Sequence, residues 1–129
     1  MSKVIENFLY SREHEWVEVV SETRVRVGIT DFAQRQLGDL VFVEIPGVGE
    51  EVVADQTMGT IESVKAVSDI FSPVSGKIVE VNSGLEDAPE VINSDAYGQG
   101  WMVLVELSNQ EELFNLLTAE QYSAFVEEE

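Results

Sequence analysis

The 129-residue sequence has no cysteine, a single histidine, and only seven Lys and Arg against twenty-five Asp and Glu. Without cysteine there is neither a disulfide framework nor a thiol for redox or acyl-transfer work, so any sulfur chemistry must come from an attached group. Zinc sites and nucleophile triads need several partners, and His14 has none of the usual ones, which leaves it a surface or packing role. The shortage of basic residues gives 7 − 25 = −18, a charge that repels phosphate backbones and anionic headgroups and excludes nucleic acid and membrane surfaces as partners. Such a charge favours a monomer. It also steers encounters with basic docking surfaces, although solubility alone would explain it equally well. Long apolar runs are missing too. Trp101 to Val105 is the longest and is too short to span a bilayer. Met1 to Tyr10 lacks the apolar core of a signal peptide and the Arg-rich character of a transit peptide, so a cytoplasmic protein is expected. The glycines are spaced for turns, with no phosphate-binding run.

What is present reads as mainly β. Trp16–Val20 and Arg24–Ile29 alternate and are joined by a short polar turn, which predicts an opening hairpin. Asp31–Leu37 changes to helical spacing, with Thr30 as its cap and Gly38 as its stop. Short strands follow over Leu40–Ile45, Glu51–Val53, Met58–Val64, Ala66–Phe71, Lys77–Val81 and Trp101–Leu107. A weak repeat relates Gly38–Val43 to Gly76–Val81 at an offset of 38 residues, each half running on to a Val-Val or Val-Ile pair (Val52-Val53, Val91-Ile92). Two such halves predict a sandwich of two antiparallel sheets with pseudo-twofold symmetry. The capping-box patterns Ser108–Glu111 and Thr118–Gln121 predict two short helices over about 109–127, and Trp16 and Trp101 are expected as core anchors. The chain has the length of one domain, 1–129, with the sheet region over about 24–107.

Lys65 is one of three lysines and lies between two strand-like runs, at or beside the tip of a predicted hairpin. Its setting, Glu62-Ser63-Val64-Lys65-Ala66, resembles the attachment sequence of lipoyl domains, in which the lysine amine forms an amide with lipoic acid. A biotin carrier instead favours methionine on both sides of its lysine.

Further blocks sharpen this. Tyr10–Val17, Gly28–Gln34, Leu37–Pro46, Ser72–Gly76 and Tyr97–Trp101, together with Glu62–Ala66, resemble the glycine cleavage H-protein family in order from about Tyr10 to Val126. Ala96 and Phe71 depart from its common proline and tyrosine. The resemblance implies a lipoyl-domain-type barrel-sandwich with lipoic acid on Lys65 and no catalytic activity of its own. It further implies a shuttle carrying an aminomethyl group from glycine decarboxylase (the P protein) to the aminomethyltransferase (the T protein). Dihydrolipoamide dehydrogenase (the L protein) would reoxidise the arm, and lipoyl-attaching enzymes would load it. By the same resemblance Glu15 and Asp69 match positions near the docked arm. The residues themselves suggest Glu13 and Glu15 on one side of a strand with His14 on the other. Two other readings stay open: a relay that hands its lipoyl group to other enzymes, and an unmodified interaction domain.

Overall fold

Valine and isoleucine at alternate positions make β3 (Arg24–Ile29) the centre of the larger sheet: Val25, Val27 and Ile29 are buried while Arg24 and Arg26 face water. The computed structural model describes residues 3–127. β3 pairs antiparallel with β2 (Glu15–Val19) on one side and β9 (Val103–Leu107) on the other. With β1 (Leu9–Tyr10), β8 (Gly76–Val81) and β5 (Glu51–Val52) they form a six-stranded sheet in the order β1-β2-β3-β9-β8-β5. Facing it is a three-stranded antiparallel sheet, β4 (Leu40–Glu44), β6 (Thr57–Ser63) and β7 (Val67–Phe71), in the order β4-β6-β7. Val17, Val27, Ile78, Val103 and Val105 from the first meet Leu40, Val43, Ile61 and Ile70 from the second in one core. Each fully buried side chain of this size contributes about 1.5–3 kcal/mol of burial free energy.

The α1 helix (Asp31–Leu37) follows β3 as the sequence predicts. The Thr30 side chain accepts from the Ala33 amide, and Gly38 ends the helix at φ 83°, where only glycine sits without strain. A second cluster lies on the far side of β2. Trp16, fully buried, joins Tyr10, Leu117 and Tyr122, and its Nε1 donates to the Ala96 carbonyl at 2.9 Å. The indole lies across Gly28, where a Cβ would come within 2.7 Å of the ring. Tyr10 and Tyr122 stack at 4.5 Å, and Tyr10 exchanges backbone bonds with Leu117 at 2.8 and 2.7 Å. Trp101 is only half-buried, with Arg26 5.3 Å from its ring, so of the two tryptophans Trp16 alone is enclosed in the core.

Two expectations are corrected. The Val91-Ile92 pair, which the repeat sets against Val52-Val53, lies in α3 (Val91–Ser94), preceded by another short helix, α2 (Gly84–Asp87). The repeat therefore survives as β4 and β8, one in each sheet, and fails beyond them. The segment after β9 is a 3-10 helix, Gln110–Asn115, capped by Asn109 rather than Ser108: the Asn109 side chain accepts from the Glu111 amide at 3.0 Å. The second capping box is present, with Thr118 N donating to Gln121 Oε1 at 3.0 Å and Gln121 N to Thr118 Oγ1 at 3.2 Å at the head of α4 (Ala119–Glu127). No helix among the described residues is long and apolar enough to cross a membrane.

Candidate functional site

The β6–β7 hairpin reverses over Ser63–Ala66, and one hydroxyl organises the reversal. Ser63 N donates to the Ala66 carbonyl at 2.8 Å, while Ser63 Oγ accepts from the amides of Lys65 at 3.3 Å and Ala66 at 3.1 Å. Ser63 is buried and its neighbours Val64, Lys65, Ala66 and Val67 are exposed, so the polar groups of the turn are satisfied from inside and its side chains are left outside. Val64 N donates to the Asp39 carbonyl at 3.0 Å, fastening the tip to the residue after Gly38. A Cβ on Gly38 would stand 3.6 Å from Lys65 Cε, so the lysine stem runs over the end of α1. No ion pair among the described residues holds the ammonium.

Asn93 of α3 supports this end of the molecule, and nothing in the sequence singled it out. Its Nδ2 donates to Gln34 Oε1 at 2.9 Å and to the Gly38 carbonyl at 3.0 Å, and its Oδ1 accepts from Leu40 N at 2.9 Å. A lone asparagine in a polar stretch carries no periodic signal, and its partners are 53 to 59 residues away.

Beside the tip lies a hollow of about 280 Å³ walled by Glu13, His14, Phe32, Leu37 and Ser68. Glu13 also borders a larger cavity of about 590 Å³ lined by Tyr10, Ser11, Glu15, Asp55, Phe71 and Glu112 among others. Glu13 is the residue the two hollows share.

Glu15 is the first residue of β2 and is 2 % exposed. Its Oε1 accepts from Ser11 Oγ at 2.6 Å and its Oε2 from the Phe71 amide at 3.3 Å. Burial pushes its pKa up to about 8; the bonds from Ser11 and Phe71 oppose the rise, and the negative fields of Glu13 and Asp55 add to it. The pairing of Glu13 with Glu15 on one strand face is corrected. Glu13 lies in an exposed turn ahead of β2, and His14 reverses the chain at φ 70°. His14 has the packing role expected: its Nδ1 bonds the Tyr122 hydroxyl at 2.8 Å and its ring lies 4.7 Å from Phe32. Asp69 is exposed on β7 opposite Thr60. It stands two positions from the Phe71 that Glu15 holds, yet it does not line the cavity that Glu15 lines.

Comparison with known proteins gives a consistent result. The family model described as glycine cleavage H-protein matches residues 8–129. A glycine cleavage system H protein of Coprothermobacter proteolyticus is 53% identical over 98% of this chain and 99% of its own. One from Carboxydothermus hydrogenoformans is 53% identical over 100% of this chain and 98% of its own. The crystal structure of a glycine cleavage system H protein from Mycobacterium marinum superposes with a TM-score of 0.87 at 42% identity, covering 94% of this chain and 97% of that one.

Proposed function

Because this chain belongs to the glycine cleavage H-protein family, we propose that it is the lipoyl-bearing carrier of glycine cleavage in the cytoplasm, with Lys65 as the single attachment point. The observation that carries the reading is Lys65 itself, exposed at a turn whose polar groups are met internally. Residues 24–107 form the lipoyl-bearing part, and 109–127 brace it. A lipoyl group in amide linkage to Lys65 supplies a dithiolane that takes up a one-carbon amine and two electrons. The fold supplies the rest. The Ser63 hydroxyl sets the turn, and Gly38 ends α1 beneath the lysine stem. Glu13 and Glu15 border the cavity beyond; the exposed carboxylate of Glu13 would favour a cationic amine over neutral cargo, while the buried Glu15, its pKa pushed up to about 8, is mostly the neutral acid at neutral pH. Asp69, exposed on β7 between the tip and Phe71, is the second residue we assign to the arm, on the family resemblance alone.

The partners of this reading are a lipoyl-attaching enzyme, which must reach the lysine amine itself, and the decarboxylase, the aminomethyltransferase and the dihydrolipoamide dehydrogenase. A flexible tether raises the concentration of its reactive end at each active site it reaches. The test is reconstitution with those three enzymes after lipoylation, followed by NADH formation from glycine and by peptide mass mapping. Lys65→Arg keeps the cation but not the acylable amine, so it should abolish both lipoylation and NADH formation with the circular dichroism unchanged. Lipoate on Lys3 or Lys77, or full turnover by Lys65→Arg, would overturn the assignment.

A further inference from the structure

The end of the larger sheet remote from Lys65 holds a groove of about 680 Å³ that the carrier reading does not use. Leu9, Leu113 and Leu116 line it, and Phe114 stands in it 87 % exposed, the most exposed large apolar side chain described. Glu22 and Glu111 are exposed at its rim, and no Lys or Arg lines it. Its position follows from strand direction. β3 starts at Arg24, beside Glu22, and ends at Ile29 against α1, whose closing Gly38 faces the Lys65 stem. A strand of this length spans roughly 20 Å, and the groove lies at its far end from Lys65.

The groove is held open. Gln110 Nε2 donates to the Glu22 carbonyl at 2.6 Å, fixing the 3-10 helix to the β2–β3 turn. On the other side Glu112 accepts from Ser75 N at 2.7 Å and Ser75 Oγ at 2.9 Å. A preformed apolar surface loses little conformational freedom when it is covered. The charge decides by what. A second copy in a symmetric dimer would set Glu22 and Glu111 against their own duplicates, and any other contact would face a surface of net charge −18.

We propose that this groove docks a basic amphipathic segment of another protein, with an apolar side chain packing on Phe114 and flanking Lys or Arg meeting Glu22 and Glu111. The segment belongs to one of the enzymes the arm visits; that ownership rests on the carrier reading, whereas the chemistry of the groove does not. A hold at this end leaves the Lys65 end free to swing while it keeps the two proteins together.

The test titrates the lipoylated protein, with its amide shifts followed, with a Leu/Lys amphipathic peptide of about fourteen residues, near the shortest that holds a helix in water. Shifts should concentrate at Leu9, Glu22 and residues 110–116. Phe114→Ser, and separately Glu22→Lys with Glu111→Lys, should weaken binding about tenfold, as loss of an anchoring contact does. Val48→Ser, which alters another exposed apolar residue, should leave binding unchanged. Shifts spread over the whole acidic surface, equal binding of a Leu/Glu peptide, unchanged binding by Phe114→Ser, or a dimer by sedimentation would each overturn the proposal. The same variants are then assayed with the three enzymes, where a raised KM for the carrier at unchanged kcat identifies the owner. If no KM moves, the ownership falls; if the unaltered protein serves none of the enzymes, the carrier reading falls and the peptide result stands alone.

Discussion

Glu15 carries a carboxyl enclosed between the Ser11 hydroxyl and the Phe71 amide, and burial lifts its pKa from an ordinary 4.5 to about 8. In the unfolded chain the group ionises near its ordinary value, so between about pH 5 and pH 8 the native state binds more protons than the unfolded state. Stability is therefore highest below the unfolded pKa and falls as pH rises through the folded one. The shift corresponds to about 5 kcal/mol at most, since each pKa unit is about 1.4 kcal/mol. Glu15→Gln imitates the neutral acid, with Oε1 for the Phe71 amide and Nε2 for Ser11. Urea midpoints measured from pH 5 to pH 9 should slope downward for the native chain and lie nearly flat for Glu15→Gln. Equal slopes would show that the carboxylate is already solvated. That Lys65 stands exposed at a turn was legible because turn signals are local, whereas Glu15 was singled out by the family resemblance. That Glu15 is buried was not legible, because its enclosure depends on Phe71, 56 residues along.

At the scale of the element, α4 is tied down by Tyr122, whose hydroxyl bonds His14 Nδ1 and Thr30 Oγ1 at 2.8 Å each while its ring stacks on Tyr10. Tyr122→Phe keeps the stack and removes both bonds from Thr30, which caps α1, and from His14. Each hydrogen bond lost costs about 0.5–1.5 kcal/mol, so the thermal midpoint should fall with lipoylation of Lys65 intact. A midpoint within error of the native one would mean that the hydroxyl is replaced by water at no loss. Elements with a strong local period were readable: α1 from its Thr30 and Gly38 boundaries, β3 from its alternation, the head of α4 from its capping box. The short helices α2 and α3 have four residues each, which is too few for a period to show. Val91 and Ile92 mimic a strand until Asn93 is seen reaching back to α1.

Across the whole molecule the formal charge of −18 should govern encounter more than residence. Association of the lipoylated protein with the decarboxylase, followed by stopped flow, should slow severalfold between low and physiological salt while dissociation changes little. An association rate indifferent to salt would assign the charge to solubility. The Tyr10–Leu117 bridge bears on something else, the order in which the chain completes itself. Synthesis runs from the amino end, so Tyr10 waits through 117 − 10 = 107 residues for its partner, whereas Ser63 meets Ala66 three residues on. Closing the longer loop costs roughly 3 kcal/mol more entropy. Nascent chains released after β9, lacking everything from Ser108 onward, are therefore expected to accept lipoate at Lys65, at a measurable rate, with the outer edge of β1 still without its Leu117 partner. A released chain that stays unmodified would show that closure comes first. Otherwise the ribosome hands the attaching enzyme its substrate before the two ends of the protein have met.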